Sequence, residues 1–224
     1  MKPHKTLVAL LLAAGMTVGA LATAAANQPT LASIPYPLEA QVGQGSWSAD
    51  KDALTLVASA GTDLFVSPDG REVADNTARV LFVPKGDFIL SAKVSGAFKS
   101  KYDGGALIVY GDRTHWGKLL FEQGGNGEAG VWTTVAKDVG DDAYHGASKE
   151  DAVYLKIARQ KDMVVFYRSA DGKQWQMIRT FGMPSATPLR VGFSSQSPTG
   201  KQFSARFSEI KLRAATFKDY WQGE

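Results

Sequence analysis

Phe88-Ile89-Leu90-Ser91-Ala92-Lys93-Val94-Ser95 places Phe88, Leu90, Ala92 and Val94 on one side of an extended chain and Ile89, Ser91, Lys93 and Ser95 on the other. A period of two with one apolar side is what a strand needs when one face meets a core. Outward from it the pattern recurs. Val153, Leu155 and Ile157 alternate with Tyr154, Lys156 and Ala158, and Phe203, Ala205 and Phe207 alternate with Ser204, Arg206 and Ser208. Ala106, Ile108 and Tyr110 alternate with Leu107 and Val109, so that strand is apolar on both faces and is expected to be central. Pro84-Lys85-Gly86-Asp87, Asp103-Gly104-Gly105, Gly124-Gly125-Asn126-Gly127 and Ala170-Asp171-Gly172-Lys173 separate these runs. Gly, Asn and Asp tolerate positive φ, which tight hairpins require. With no helical stripe of any length after the N-terminus, the chain is predicted to be all-β, one antiparallel sandwich.

The first residues carry an export signal. Lys2 and Lys5 precede an apolar run from Leu7 to Leu21, and Ala24-Ala25-Ala26 offers a small-x-small cleavage pattern, with Ala22-Thr23-Ala24 as an alternative. The run is short for a membrane span, and no other stretch is as apolar. Residues 1–26 are therefore expected to be a signal peptide, and the chain a periplasmic or secreted protein with no membrane span after cleavage. Residues 27–37, broken by Pro29, Pro35 and Pro37, are expected to be an extended lead-in, 38–215 the sandwich, and 216–224 a tail. The formal net charge of +3 falls to +1 once Lys2 and Lys5 are gone, because residues 1–26 hold no acid. A near-neutral chain without a Lys/Arg cluster gives nucleic acid no electrostatic footing. The sequence has no cysteine, which excludes disulfides and lipidation at an N-terminal cysteine. Oligomeric state is left open.

Trp116-Gly117-Lys118-Leu119-Leu120-Phe121-Glu122-Gln123 carries the functional signal. As a strand it turns Leu119 and Phe121 to a core and Trp116, Lys118, Leu120 and Glu122 to the opposite face. A ring, a cation and a carboxylate on one face suit the floor of a sugar groove: the ring meets the C–H face of a pyranose, and the charged groups bond its hydroxyls. An ordinary outward face with a partly covered tryptophan is the alternative.

Six segments, in order, resemble one family: Thr62-Asp63-Leu64-Phe65, Gly86-Asp87-Phe88, Tyr102 to Leu107, Trp116 to Glu122, Ser169 to Trp175, and Ser195-Gln196-Ser197-Pro198. The chain resembles, from about Trp47 to about Leu212, the uncharacterised family labelled "regulation of enolase protein" within the concanavalin A-like lectin/glucanase superfamily. The resemblance implies a jelly-roll sandwich of two curved antiparallel sheets, with a concave face on which relatives bind or cleave glycans. It implies no settled activity. Where many relatives have Ser-Asp-Asp, this chain has Gly140-Asp141-Asp142, which leaves no hydroxyl at that position.

Catalysis finds less support. Glucanases of this fold place carboxylates at alternating positions of one strand, and after Glu122 come Gln123, Gly124, Gly125 and Asn126. Asp141 and Asp142 are adjacent and would face opposite ways; Glu122 with Asp103 or Asp142 is the cross-strand pair to examine. No Gly-x-Ser-x-Gly elbow is present, and His115 and His145 lack zinc-ligand spacing. Asp138, Asp141 and Asp142 form an acidic turn that could hold Ca²⁺, but without a full ligand pattern. No cofactor is indicated.

Tyr102 and Asp103 either bring a ring and a carboxylate to the groove's rim or form a plain tight turn. Arg159 falls in register with an apolar face and must be paired or point into a cleft. Gln196 has the donors and acceptor that hydroxyl recognition uses, or caps a loop. Trp47, Trp132 and Trp175 are expected in the core. The sequence thus predicts a lectin-like module binding a glycan or polysaccharide through Tyr102, Asp103, Trp116, Lys118, Glu122, Arg159 and Gln196. A glycoside hydrolase or lyase and a non-sugar envelope interaction protein are the alternatives.

Overall fold

A computed structural model describes residues 29–184 and 189–224. The expected signal peptide lies outside the described residues. Among the described residues there are strands and turns and no helix.

Fourteen of the sixteen strands form two seven-stranded sheets, antiparallel throughout. The first runs, in spatial order, β1 (Glu39–Gln41), β6 (Ala78–Phe82), β15 (Arg190–Gln196), β8 (Gly104–Asp112), β9 (His115–Gln123), β10 (Ala129–Lys137) and β11 (Val139–Ala147). The second runs β14 (Gln176–Gly182), β13 (Met163–Ser169), β12 (Ala152–Gln160), β7 (Phe88–Ser95), β16 (Gln202–Arg213), β3 (Ala53–Ser59) and β2 (Ser46–Asp50). A separate hairpin, β4 (Leu64–Val66) with β5 (Val73–Asp75), completes the set. The Ala106–Tyr110 run is indeed a central strand, buried on both faces.

The main core lies between the sheets. Leu107, Val109, Leu119, Phe121, Val191 and Phe193 face Leu90, Val94, Leu155, Ile157, Phe166 and Phe207, all fully or nearly fully buried. Each such side chain contributes on the order of 2 kcal/mol of apolar burial. The lead-in does more than extend: Leu31 and Ile34 join this core, and the Ala32 amide donates to the Lys51 carbonyl at 3.0 Å. The tail is also packed. Phe217 and Tyr220 cover Tyr167 and Trp175 on the outer face of the second sheet, where buried Lys156 donates to the carbonyls of Gln222 and Gly223 and to the Glu224 carboxylate.

The outer face of the first sheet is apolar at one end, and the β4–β5 hairpin covers it there. Leu64, Val66 and Val73 pack on Leu81, Ile108, Tyr110, Trp116 and Ala136. Tyr110 anchors the hairpin through its hydroxyl, which donates to Asp75 at 2.7 Å, and Arg79 pairs with the same carboxylate at 2.5 Å. The approach is closest at Gly140, where a Cβ would lie 1.9 Å from the Val66 carbonyl oxygen. No side chain fits there, which gives the missing serine at this position a steric reason.

Candidate functional site

The hairpin stops short of the far end of the sheet, and the uncovered part is a cleft of about 500 Å³. Strand alternation decides what lines it. Lys118, Leu120 and Glu122 point outward from β9. Across β10, Thr134 sits opposite Lys118 and Trp132 opposite Leu120; one strand further, Asp142 sits opposite Thr134. On the other side Gly104 of β8 stands between Glu122 and Gln196 of β15. Having no side chain, Gly104 lets those two meet over it: Gln196 Nε2 donates to Glu122 Oε2 at 3.0 Å. The hairpin contributes Asp63, Phe65 and Glu72, and the loop before β8 contributes Tyr102.

A polar chain runs along the floor. Lys118, 5% exposed, donates from Nζ to Asp63 Oδ1 at 3.4 Å and to Gln196 Oε1 at 3.1 Å, and Gln196 passes the connection to Glu122. Glu122 is 7% exposed, and burial pushes its carboxyl up to about 7. Lys118 opposes that shift, while Asp63 and Asp142 add to it. A buried acid that titrates near neutrality is a recurring feature of functional sites.

Three rings surround this floor: Tyr102, Phe65 and Trp132. Tyr102 adopts φ +67°, a left-handed backbone that costs a non-glycine residue about 1 kcal/mol or more. Its amide donates to the Gln123 carbonyl at 2.7 Å, its carbonyl accepts from Gln196 Nε2 at 3.2 Å, and its side chain is 42% exposed at the rim. Trp132 lies against Tyr144, ring centroids 4.5 Å apart.

Four sequence-predicted residues therefore line one cleft: Tyr102, Lys118, Glu122 and Gln196. Three others are corrected. Trp116 is 0% exposed beneath the hairpin, its Nε1 donating to the Arg113 carbonyl at 3.1 Å, so its ring has no face to offer a ligand. Asp103, 1% exposed, turns into its own loop, accepting from the amides of Lys99 and Ser100 and from the Ser197 hydroxyl. Arg159 belongs to the second sheet, where its Nε donates to the Lys161 carbonyl at 2.7 Å. Trp132, expected in the core, is a cleft residue instead, while Trp175 is buried as expected. Asp63, Phe65, Glu72 and Thr134 were missed as site residues, and Asp142 was weighed only as a carboxylate partner of Glu122 and a calcium ligand; Asp63 and Phe65 stand in the first segment of the family resemblance, and Thr134 shares a strand face with Trp132.

Carboxylate pairing follows from the same register. Asp142 is two strands from Glu122, with β10 between them, so the two are not neighbouring cross-strand partners, although Asp142 is near enough to add to the rise of the Glu122 carboxyl. The candidate calcium ligands diverge: Asp138 reaches Thr114, Asp141 pairs with Arg179, and Asp142 accepts from Thr134. Among the described residues no group of three potential ligands could hold a metal ion. His115 bonds Asp112 and His145 bonds Thr133, both outside the cleft.

Fold and cleft together define a class: a two-sheet antiparallel sandwich of concanavalin A type with a ring-lined polar cleft on one outer sheet face. The chain belongs to the family described as "Protein of unknown function (DUF1349)", which matches residues 43–215. It is 27% identical over 128 residues to "Regulation of enolase protein 1" of Saccharomyces cerevisiae, covering 57% of this chain and 64% of that protein. Among solved structures, a functionally unknown protein from the same yeast aligns with a TM-score of 0.70 at 22% identity, over 77% of this chain and 97% of that one. A mutant of the GH43 protein BlXynB from Bacillus licheniformis aligns at TM-score 0.61 and 17% identity, over 76% of this chain and 35% of that one. The carbohydrate binding module CBM66 of Bacillus subtilis aligns at 0.51 and 11%, over 79% and 95%. At such identities these structures establish a shared fold.

Proposed function

We propose that this chain is an exported glycan-binding module and that the cleft on the first sheet is its binding site. The observation that carries the reading is the conjunction in one open cleft of three rings with a buried ammonium, amide and carboxyl chain. Rings offer flat apolar faces to sugar C–H groups, and the polar floor offers fixed donors and acceptors to hydroxyls. Tyr102, Trp132 and Phe65 stack; Glu122, Asp142 and Glu72 accept from hydroxyls. The likeness in fold to a carbohydrate binding module supports the same reading. Export rests on the N-terminal sequence, and no helix among the described residues is long and apolar enough to cross a membrane. An open cleft of this size buries little ligand surface, so affinity falls on the order of millimolar to micromolar.

A hydrolase is the second reading, favoured by one feature: burial pushes the Glu122 carboxyl up to about 7, where a general acid is effective. Gln196 holds Oε2 of Glu122 and Lys118 holds the nearby Asp63, so a hydrolase would have to work through the remaining Oε1 of Glu122 without Asp63 as a free base or nucleophile. The envelope-interaction alternative has weaker footing. The large exposed apolar side chains among the described residues are Val83, Tyr102, Val139, Tyr144 and Trp221, of which Tyr102 lines the cleft and Tyr144 lies against Trp132.

A polysaccharide array probed with the purified protein and with Tyr102→Ala, with reducing-sugar release measured in the same wells, tests the proposal. Binding by the wild type, weakened in the variant and without product, supports it. Product release replaces it with the hydrolase, and retention on no polysaccharide overturns both.

A further inference from the structure

We propose that the cleft takes a sugar bearing a free amino group and turns acidic sugars away. This deepens the glycan reading and rests on it. Four carboxyl side chains line the cleft, Asp63, Glu72, Glu122 and Asp142, against the single ammonium of Lys118. That ammonium is already engaged. It is nearly enclosed, bonds Asp63 and Gln196, and has the Trp116 ring 5.8 Å away. A uronate or sulfate entering the cleft would meet no free cation, and reaching Lys118 would mean displacing Asp63.

The acceptors, by contrast, are open. Glu122 uses Oε2 for Gln196, while its Oε1 takes no hydrogen bond from any described residue, on a side chain that lines the cleft. An ammonium there gains a charge-assisted hydrogen bond. Because burial holds the Glu122 carboxyl near neutrality, a bound cation also draws it into its ionised form. Asp142 accepts only from the Thr134 hydroxyl, and the Glu72 carboxylate takes no hydrogen bond or ion pair from the described residues. Both are exposed and bias the cleft toward a cation. The surrounding rings make the site more than an acidic cluster, because they add the flat faces that a sugar ring uses and a bare cation needs less.

The test is an NMR titration of the Trp132 indole N–H at pH 7.5 and constant ionic strength with glucosamine, glucose, glucuronate and n-butylamine. Glucosamine should shift the signal with an apparent Kd about tenfold below that of glucose, the size expected for one added charge contact in a partly screened site. Glucuronate should leave the signal in place, and n-butylamine should bind more weakly than glucosamine. In Glu72→Gln/Asp142→Asn the advantage of glucosamine over glucose should fall below about threefold, with the unfolding midpoint unchanged. Glucose binding as well as glucosamine, glucuronate binding better than glucose, or no response to glucosamine overturns the inference. If polysaccharides are still retained, the glycan reading survives that failure. n-Butylamine matching glucosamine also overturns it, because charge alone would then be recognised.

Discussion

Replacing Glu122 by glutamine should flatten the protein's stability between pH 4.5 and 7. Glu122 is nearly enclosed, and burial raises its carboxyl from the usual carboxylate value of 4.5 to about 7. Between those values the folded chain keeps a proton that the unfolded chain has released. Stability contributed by this group is therefore fully present below 4.5 and declines as pH climbs to 7. A shift of that size corresponds to about 3 kcal/mol lost across the window at 1.36 kcal/mol per unit. Glutamine still offers a carbonyl oxygen to Gln196 and has no proton to lose, so the variant should lack this part of the slope. Urea unfolding of both proteins at pH 4.5, 5.5, 6.5 and 7.5 gives the comparison, and the quantity to follow is the difference between the two curves, in which other titrating groups cancel. The wild type should lose about 3 kcal/mol relative to Glu122→Gln across the series. Parallel curves would refute the burial argument and, with it, the electrostatic description of the cleft floor.

Trp116→Ala should cost about 3 to 5 kcal/mol in denaturant unfolding, as expected for a large buried ring; a loss under 1 kcal/mol would mean the ring is not covered. Gly140→Ala should destabilise by at least about 2 kcal/mol, because the added methyl meets the Val66 carbonyl oxygen and forces the hairpin away. Amide exchange in residues 64–75 should accelerate in the same variant, and unchanged protection would contradict the packing. Asp103→Ala should cost about 2 to 4 kcal/mol by stranding the two amides and the hydroxyl that it satisfies, while leaving any polysaccharide affinity within about twofold; a selective loss of binding would return Asp103 to the site.

The strands were legible because each is a local statement. Phe88 to Ser95 and Val153 to Ile157 alternate as they do in the structure, and the glycines at 86, 127 and 172 sit at positive φ in turns. Half the site was legible for the same reason: Lys118, Leu120 and Glu122 had to share a face once β9 was a strand. Which part of that face stays open is a long-range matter. The hairpin at residues 64–75 buries Trp116 and leaves Trp132 lining the cleft, and no alternation within β9 or β10 contains that information. Asp103 misled because an Asp beside two glycines fits a rim loop as well as a turn, and only the partners Lys99, Ser100 and Ser197 separate the two. Arg159 was placed correctly on its strand, but strand order puts that strand in the other sheet.

Affinity electrophoresis through gels containing a soluble polysaccharide retained on the array, with wild type, Tyr102→Ala, Trp132→Ala and Trp175→Ala run side by side, tests whether the cleft is the glycan site. Trp175 is buried on the outer face of the opposite sheet, so its substitution lowers stability without touching the cleft and serves as the control for loss of a large ring. The wild type and Trp175→Ala should be retarded alike, and both cleft variants should run freely. Retardation lost only in Trp175→Ala, or kept in all four, would contradict that assignment of the site.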